Sequence, residues 1–142
     1  MHYTLKRITD EHPEWLDALK KRCYTVNGCC HIVHKDLGPF LNEYMYQDAL
    51  KILFDEQRIE YPKEYYFEIT YHGQRIAHKH YVDFLVNNEI ILECKAVEKL
   101  SAEHRQQVWN YMRLTGKSIG ILYNFGPISS QSEHYYLDKN GT

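Results

Sequence analysis

The chain has 142 residues, of which 44% are hydrophobic, 25% are charged and 13 are tyrosines. These proportions exclude a mainly disordered chain, and the length is enough for one folded domain over residues 1–142 without disulfides or a structural metal. The formal net charge of -2 neither predicts nor excludes a nucleic-acid partner, although it argues against a large basic DNA-binding face.

Two helices are predicted in the first part of the chain. After Pro13, apolar residues recur at spacings of three and four from Leu16 to Leu37, which places them along one stripe of a long helix. Gly38–Pro39 interrupts this pattern, and a second helix is predicted from about residue 40 to residue 57. Two helices are therefore expected before any sheet.

A stretch rich in β-branched and aromatic residues follows, from Ile59 to Val97. His72–Gly73 and the segment Asn87–Glu89 are suited to hairpin connections. This stretch is therefore predicted to form a three-stranded antiparallel meander.

The last elements are a helix and a buried strand. Ser101 begins a third helix that runs to about Thr115 and ends at Gly116, and residues 118–125 are predicted as a buried strand. Tyr135–Leu137 is predicted as an edge strand. Helices, a meander, a crossover helix and a further strand predict an α/β fold, with a mixed sheet flanked by helices.

The cysteines and the hydropathy pattern indicate where the protein resides. Cys23, Cys29, Cys30 and Cys94 lack the paired spacing of zinc sites, so they are predicted to be free buried thiols. No stretch approaches the roughly 20 apolar residues that cross a bilayer. A cytoplasmic protein with no membrane partner is therefore expected.

Charged residues interrupt two otherwise apolar strands, at residues 81–86 and 90–96. Because side chains alternate along a strand, Glu93 and Lys95 share one face, while Cys94 points the other way. Together with Asp83, these residues could bind a hard divalent cation and support metal-assisted phosphodiester hydrolysis. The spacing fits equally well a structural, partly buried ion-pair network.

The pairing register of these strands decides whether the two carboxylates meet. A two-residue Asn87–Asn88 turn would send Asp83 and Glu93 to opposite faces, whereas a three-residue Asn87–Glu89 loop pairs Val86 with Ile90 and sets Asp83 opposite Glu93. We predict the three-residue register with a left-handed residue at the end of the loop, or a two-residue turn corrected by a bulge before Asp83.

Asp83, followed ten positions later by Glu93–Cys94–Lys95, resembles the D…ExK signature of PD-(D/E)XK nucleases. The wider pattern, from His31 to Phe125, resembles the GxxExxY proteins of that superfamily. It is visible in the segments Val33–Pro39, Glu43–Tyr46, Asp83–Val86 and Glu93–Val97, and in His104 through Gln107 to Tyr111–Gly116. Phe40 stands where that group has its naming glycine, which puts the shape of the turn into the second helix in question.

The resemblance implies a restriction-endonuclease-like core and a Mg²⁺ or Mn²⁺ cofactor. It implies Asp83 and Glu93 as metal ligands and Lys95 as the residue that assists the attacking water. Glu43 would be a further metal ligand or a base acting through water, and Gln107 would be a supporting catalytic residue. From its position alone, Glu43 is better interpreted as a solvated glutamate at a helix start, where the helix dipole favours it.

Five further residues are candidates of second rank for nucleic-acid contact. Tyr111 shares a helix face with Gln107, four residues before it, and with His104, one turn before that, and it could also simply pack on the sheet. Lys79 and His80 belong to a basic run before Asp83 that could follow a phosphate backbone or be a solvated strand end. The fifth residue, His34, could contact substrate or metal, but a lone histidine on a helix is more often a polar cap of local packing.

Two functions are consistent with these features. The first is a Mg²⁺- or Mn²⁺-dependent nuclease acting on DNA in preference to RNA. The second is a non-catalytic module that keeps the nuclease fold and binds nucleic acid or regulates a partner, a reading motivated by the slightly acidic charge and by Phe40. Retention of the whole D…ExK set favours the first.

Overall fold

The structure is a computed structural model that describes residues 4–6 and 14–138 of the chain. In chain order, the described residues form β1 (Thr4–Lys6), α1 (Glu14–Leu37), α2 (Glu43–Glu56), β2 (Tyr65–Phe67), β3 (Thr70–Tyr71), β4 (Gln74–Arg75), β5 (His80–Val82), β6 (Phe84–Val86), β7 (Ile90–Lys95), α3 (Ala102–Thr115), β8 (Ile119–Asn124) and β9 (Gln131–Asp138).

The main sheet has five strands in the order β1-β9-β8-β7-β6. Strands β7 and β8 are parallel and are joined through α3, whereas the other neighbouring pairs are antiparallel. Buried side chains such as Leu92 and Cys94 pack with α1 and α2, and those such as Ile91 and Leu122 pack with α3. The predicted α/β fold, with a mixed sheet flanked by helices, is confirmed.

The helices follow the predicted apolar spacing, with one difference at the start of α2. Helix α1 buries the stripe that includes Cys23, Val26 and Cys30. Helix α2 begins at Glu43, not near residue 40, because Phe40 has a φ of 68° and Asn42 is extended. The left-handed and extended conformations of these two residues are incompatible with helix.

The single three-stranded meander was wrong. Strand β2 pairs with β5, and β3 pairs with β4, in two small sheets separate from the main one. Every residue from Thr70 to Lys79 is exposed, so this segment has no apolar face to bury against the main sheet. β-branched and aromatic composition therefore predicted strands correctly but not the sheet to which they belong.

The prediction of an edge strand at Tyr135–Leu137 was also wrong. Strand β9 lies between β8 and β1, with Ile119 opposite Tyr136 on one side and Leu5 opposite Leu137 on the other. The partner on the outer side comes from the opposite end of the chain. A pairing of such long sequence separation leaves no local signal.

The four cysteines are free and buried, as predicted. Burial raises the pKa of Cys23 to about 11, and burial also raises the pKa values of Cys30 and Cys94. All three are therefore protonated core thiols near neutral pH. Among the helices of residues 14–138, none is both long enough and apolar enough to cross a membrane.

Candidate metal and catalytic site

Asp83 and Glu93 meet where the chain passes from β5, in the small β2–β5 sheet, to β6 in the main sheet. Asp83 is the one residue between β5 and β6. Its backbone N donates a 3.2 Å hydrogen bond to Glu93 Oε1, and its Oδ2 accepts one of 2.8 Å from the backbone N of Cys94. These two bonds hold the carboxylates together on the side of the sheet that faces α3.

The register that brings them together is the predicted one. Val86 pairs with Ile90 and Phe84 pairs with Leu92, so Asp83 lies opposite Glu93. The loop differs in detail, because Asn87 and Asn88 are the left-handed residues, with φ of 52° and 57°, while the last loop residue, Glu89, is not among them. The backbone N of Glu89 donates to Val86 O at 3.0 Å, which closes a type I′ turn.

The electrostatics of the pair are unfavourable without a counterion. Glu93 is only 3% exposed, and burial together with the Asp83 charge raises its pKa well above the usual value, while Lys95 opposes that rise. A hard divalent cation takes carboxylate oxygens and is commonly held by one or two of them, with water and substrate phosphate completing its shell. The donor set fits Mg²⁺ or Mn²⁺ bound in this way.

Glu43 and Lys95 lie within electrostatic range of this pair. Burial and the charge of Asp83 raise the pKa of Glu43, and Lys95 lowers it. However, among the described residues no group of three or more His, Cys, Asp or Glu side chains is close enough to hold an ion together. Both roles predicted for Glu43, a further metal ligand and a base acting through water, stay predictions.

Helix α3 covers this face and presents Gln107 and Tyr111 together, as their spacing predicted. Gln107 Nε2 donates a 3.0 Å hydrogen bond to Tyr111 Oη. Burial, the charge of Glu93 and, to a smaller extent, that of Asp83 raise the pKa of Tyr111, so its hydroxyl group lies within electrostatic range of the carboxylates. The Tyr111 ring also packs edge-on against Phe67, at 5.5 Å between centroids. Tyr111 therefore combines packing with proximity to the site.

The comparisons with known proteins agree with this geometry. A family model described as the PD-(D/E)XK nuclease superfamily matches residues 20–135. The chain belongs to the PD-(D/E)XK nuclease superfamily. Members are typically metal-dependent, and the name of the family indicates a nucleic-acid substrate.

One solved structure, described as "Crystal structure of SSO0001", has the same fold. It is 21% identical and aligns with a TM-score of 0.52, covering 65% of this chain and 48% of its own. This chain thus corresponds to about half the length of that protein. The search of the curated proteins found no match.

In this PD-(D/E)XK chain, His34 and His104 have structural partners away from the carboxylates. His34 Nε2 donates to Pro127 O at 2.9 Å, which ties α1 to the loop after β8. His104 Nδ1 accepts a 3.0 Å hydrogen bond from the backbone N of Ser101, and its own backbone N donates to Ser101 Oγ at 3.2 Å. These bonds fit a packing role for His34 and a capping role for His104, and contact of either ring with substrate or nucleic acid stays a prediction.

Lys79 precedes and His80 begins β5, the strand that ends just before Asp83. The Lys79 ammonium group is 4.6 Å from the centroid of the Tyr66 ring, and His80 stacks on Phe67 with centroids 5.1 Å apart. Both contacts orient cationic or polar groups beside aromatic rings near the site. Their contact with nucleic acid stays a prediction.

Two buried residues to which the sequence analysis gave no role support the site. The first is Tyr46, which is fully buried and stacks on Phe125. Its hydroxyl group donates to Gly38 O at 2.6 Å and accepts from the backbone N of Leu41 at 3.1 Å. Tyr46 thereby shapes the turn that delivers Glu43, which is a physical reason for a tyrosine three residues after that glutamate.

The second missed residue is Asn124, a fully buried amide at the end of β8. Its Oδ1 accepts from the backbone N of Val97 at 3.0 Å and of Gly126 at 3.1 Å, while its Nδ2 donates to Val97 O at 2.9 Å. It therefore ties the segment leaving β7 to the segment leaving β8. An amide between apolar neighbours in a buried strand was the available signal.

Proposed function

We propose that this protein is a Mg²⁺- or Mn²⁺-dependent nuclease that hydrolyses phosphodiester bonds, with DNA preferred over RNA. The observation that supports this most strongly is the buried Glu93 carboxylate beside Asp83. Glu93 accepts a hydrogen bond from the backbone N of Asp83, and Asp83 accepts one from the backbone N of Cys94. Two adjacent carboxylates destabilise a folded protein unless a proton or a cation compensates their charge. A divalent metal bound between the two carboxylates would compensate their charge.

The residues around the pair divide the work of hydrolysis. Asp83 and Glu93 hold the cation, which when bound activates water and offsets charge on the scissile phosphate. Lys95, two residues after Glu93 on the same strand face, holds the attacking water or balances the developing phosphate charge. Glu43 accepts a proton through water, and Gln107 with Tyr111 positions that water or a phosphate oxygen.

We further propose that the protein belongs with the GxxExxY group of this superfamily. The Glu43 and Tyr46 positions support this, because Tyr46 holds the turn before Glu43. Phe40, at the position of the naming glycine, has a φ of 68°, the kind of backbone that favours glycine. Phe40 thus has a backbone conformation that a glycine at this position would adopt without strain.

Metal-dependent cleavage of single- and double-stranded DNA and RNA tests the nuclease proposal. We expect cleavage in Mg²⁺ or Mn²⁺ and none in chelator, with a loss of about a hundredfold or more in Lys95→Ala, because that residue acts where charge develops. Lys99→Ala, which removes an exposed lysine four residues later, is the matched control and should retain activity.

The non-catalytic module predicts a different result for the same samples. Binding to nucleic acid that persists with no cleavage in any metal, in a protein that is folded, would favour that function. Equal cleavage by native protein and Lys95→Ala would remove the proposed catalytic site.

A further inference from the structure

Phe40 has a backbone conformation that its side chain does not justify by packing. Its φ is 68°, and its side chain is 76% exposed. The left-handed region costs a residue with a Cβ on the order of 1–2 kcal/mol in conformational free energy, whereas glycine adopts it almost without strain. Since burial does not offset the cost, folding alone gives no reason for a phenylalanine here, and such an outlier points toward function.

The backbone around Phe40 holds this conformation rigidly. The backbone N of Phe40 donates to Gly126 O at 3.1 Å, and the backbone N of Gly126 is held by Asn124 at 3.1 Å. On the other side, Tyr46 binds the backbone of both Gly38 and Leu41. The ring is therefore presented to solvent from a fixed support.

Beside the Phe40 ring lies an open groove of about 720 Å³, within the usual size range of ligand sites. Ile128, which is 78% exposed, lines it together with Phe40, and Ala96 and Val97 also contribute. The lining is mostly apolar and includes the carboxylate of Glu98, so it suits an uncharged planar group better than a phosphate.

The groove neighbours the candidate site at two points along the chain. Asn42 lines the groove and is followed at once by Glu43, while Ala96 lines it and is preceded by Lys95. A nucleic-acid strand whose phosphate lies at Asp83 and Glu93 would therefore pass close to the segments that line the groove. A base in a continuous duplex has both faces stacked on its neighbours, whereas an unpaired base offers a face to an aromatic ring.

We propose that this groove binds an unpaired base of the substrate strand, with Phe40 stacked on that base. This inference rests on the proposed function and names its substrate class. The substrate is nucleic acid with an unpaired nucleotide next to the cleaved phosphate, such as a single strand, an overhang or a flap.

The test compares the affinity for a DNA duplex that carries a single-stranded overhang with that for a blunt duplex of the same paired sequence. Fluorescence anisotropy without divalent metal measures binding, and Mn²⁺-dependent cleavage of the same duplexes is measured separately. The native protein should prefer the overhang, and Phe40→Gly should reduce that preference by roughly tenfold to a hundredfold, the contribution expected of one stacked base.

Three further measurements make the result specific. Phe40→Leu keeps apolar bulk but lacks an aromatic face, so it should lose most of the preference. Tyr24→Ala, which removes an aromatic residue that is 82% exposed on α1, should keep it. The thermal midpoint of Phe40→Gly should equal or exceed that of the native protein, because glycine suits a φ of 68°.

An unchanged preference in Phe40→Gly, or equal binding of both duplexes by the native protein, would overturn the inference. The inference would also be overturned if light scattering showed that the native protein self-associates while Phe40→Gly is monomeric. The groove would then hold a second copy of the chain. Phe40-dependent preference without any cleavage would reject the nuclease and keep the base site. Cleavage without such preference would do the reverse.

Discussion

Burial is costly for the Glu93 carboxylate, because a charged group loses its hydration and Asp83 adds like charge nearby. The D…ExK spacing identified the residue, but not the degree of its burial. That follows from the position of β7 between β6 and β8, with α3 above it. The property that makes Glu93 suited to a cation therefore belongs to its surroundings.

Replacing this carboxylate should separate stability from function. We expect Glu93→Gln to raise the free energy of unfolding at neutral pH by on the order of 1–2 kcal/mol, because it removes a buried charge while Oε1 can still accept from the backbone N of Asp83. The same variant should lose Mn²⁺ binding in calorimetric titration. Glu98→Gln, at an exposed position, should change neither quantity. Full Mn²⁺ affinity in Glu93→Gln would exclude Glu93 as a ligand.

At the scale of elements, the β6–β7 connection sets the geometry of the site. Asn87 is tied to Glu60 by a backbone hydrogen bond of 2.8 Å, and Asn88 accepts from Lys117 Nζ at 3.0 Å through its carbonyl oxygen. Both asparagines are left-handed, and this residue type tolerates that region better than most. The sequence predicted the three-residue register, with a bulged two-residue turn as the alternative, and the structure has the first of the two.

Substitutions at Asn88 test whether the turn stabilises the hairpin in this conformation. Asn88→Val should lower the free energy of unfolding by about 1–2 kcal/mol, because a β-branched residue is strained at a φ of 57°. Asn88→Gly should stay within about 0.5 kcal/mol of the native protein, since glycine adopts this conformation freely. Both variants lose the bond from Lys117 to the Asn88 side chain, so their difference in urea denaturation isolates the backbone term. Equal stability of the two would contradict the left-handed turn.

At the scale of the whole molecule, a polar network joins α1 to strands β8 and β9. His134 Nε2 lies 3.1 Å from Asn27 Oδ1, and His31 Nδ1 lies 2.7 Å from Tyr123 Oη. Asn27 Nδ2 lies 3.1 Å from His31 Nε2, which links the two halves. Burial, followed by the nearby His31, lowers the pKa of His134 from its ordinary 6.5. The network therefore makes the docking of α1 sensitive to pH.

The sign of that dependence follows from proton uptake. Below pH 6.5 the unfolded chain protonates His134, while the folded protein resists until the pH reaches its lower pKa. Stability should therefore fall as the pH drops through that window, then level off. His134→Gln should reduce the difference in unfolding free energy between pH values about one unit above and below 6.5. His78→Gln, an exposed histidine, is the control, and an equal pH slope in native protein and His134→Gln would reject this role.

The sequence by itself determined the features that depend on neighbours in the chain. Apolar spacing predicted α1, the start and end signals at Ser101 and Gly116 predicted α3, and a continuous apolar run predicted β8. The D…ExK pattern selected Asp83, Glu93 and Lys95. These signals survive because a helix or strand must place its apolar residues on the side that is buried.

Only the tertiary structure decided which distant segments meet. The pairing of β1 with β9 and the tie from Asn124 to Val97 join segments that no local pattern connects. The division of residues 65–82 into two small sheets was also decided by the tertiary structure, because an exposed strand has no buried face that specifies its partner. The reason is physical: side-chain periodicity specifies which face of an element is buried, whereas its partner depends on contacts made across the whole chain.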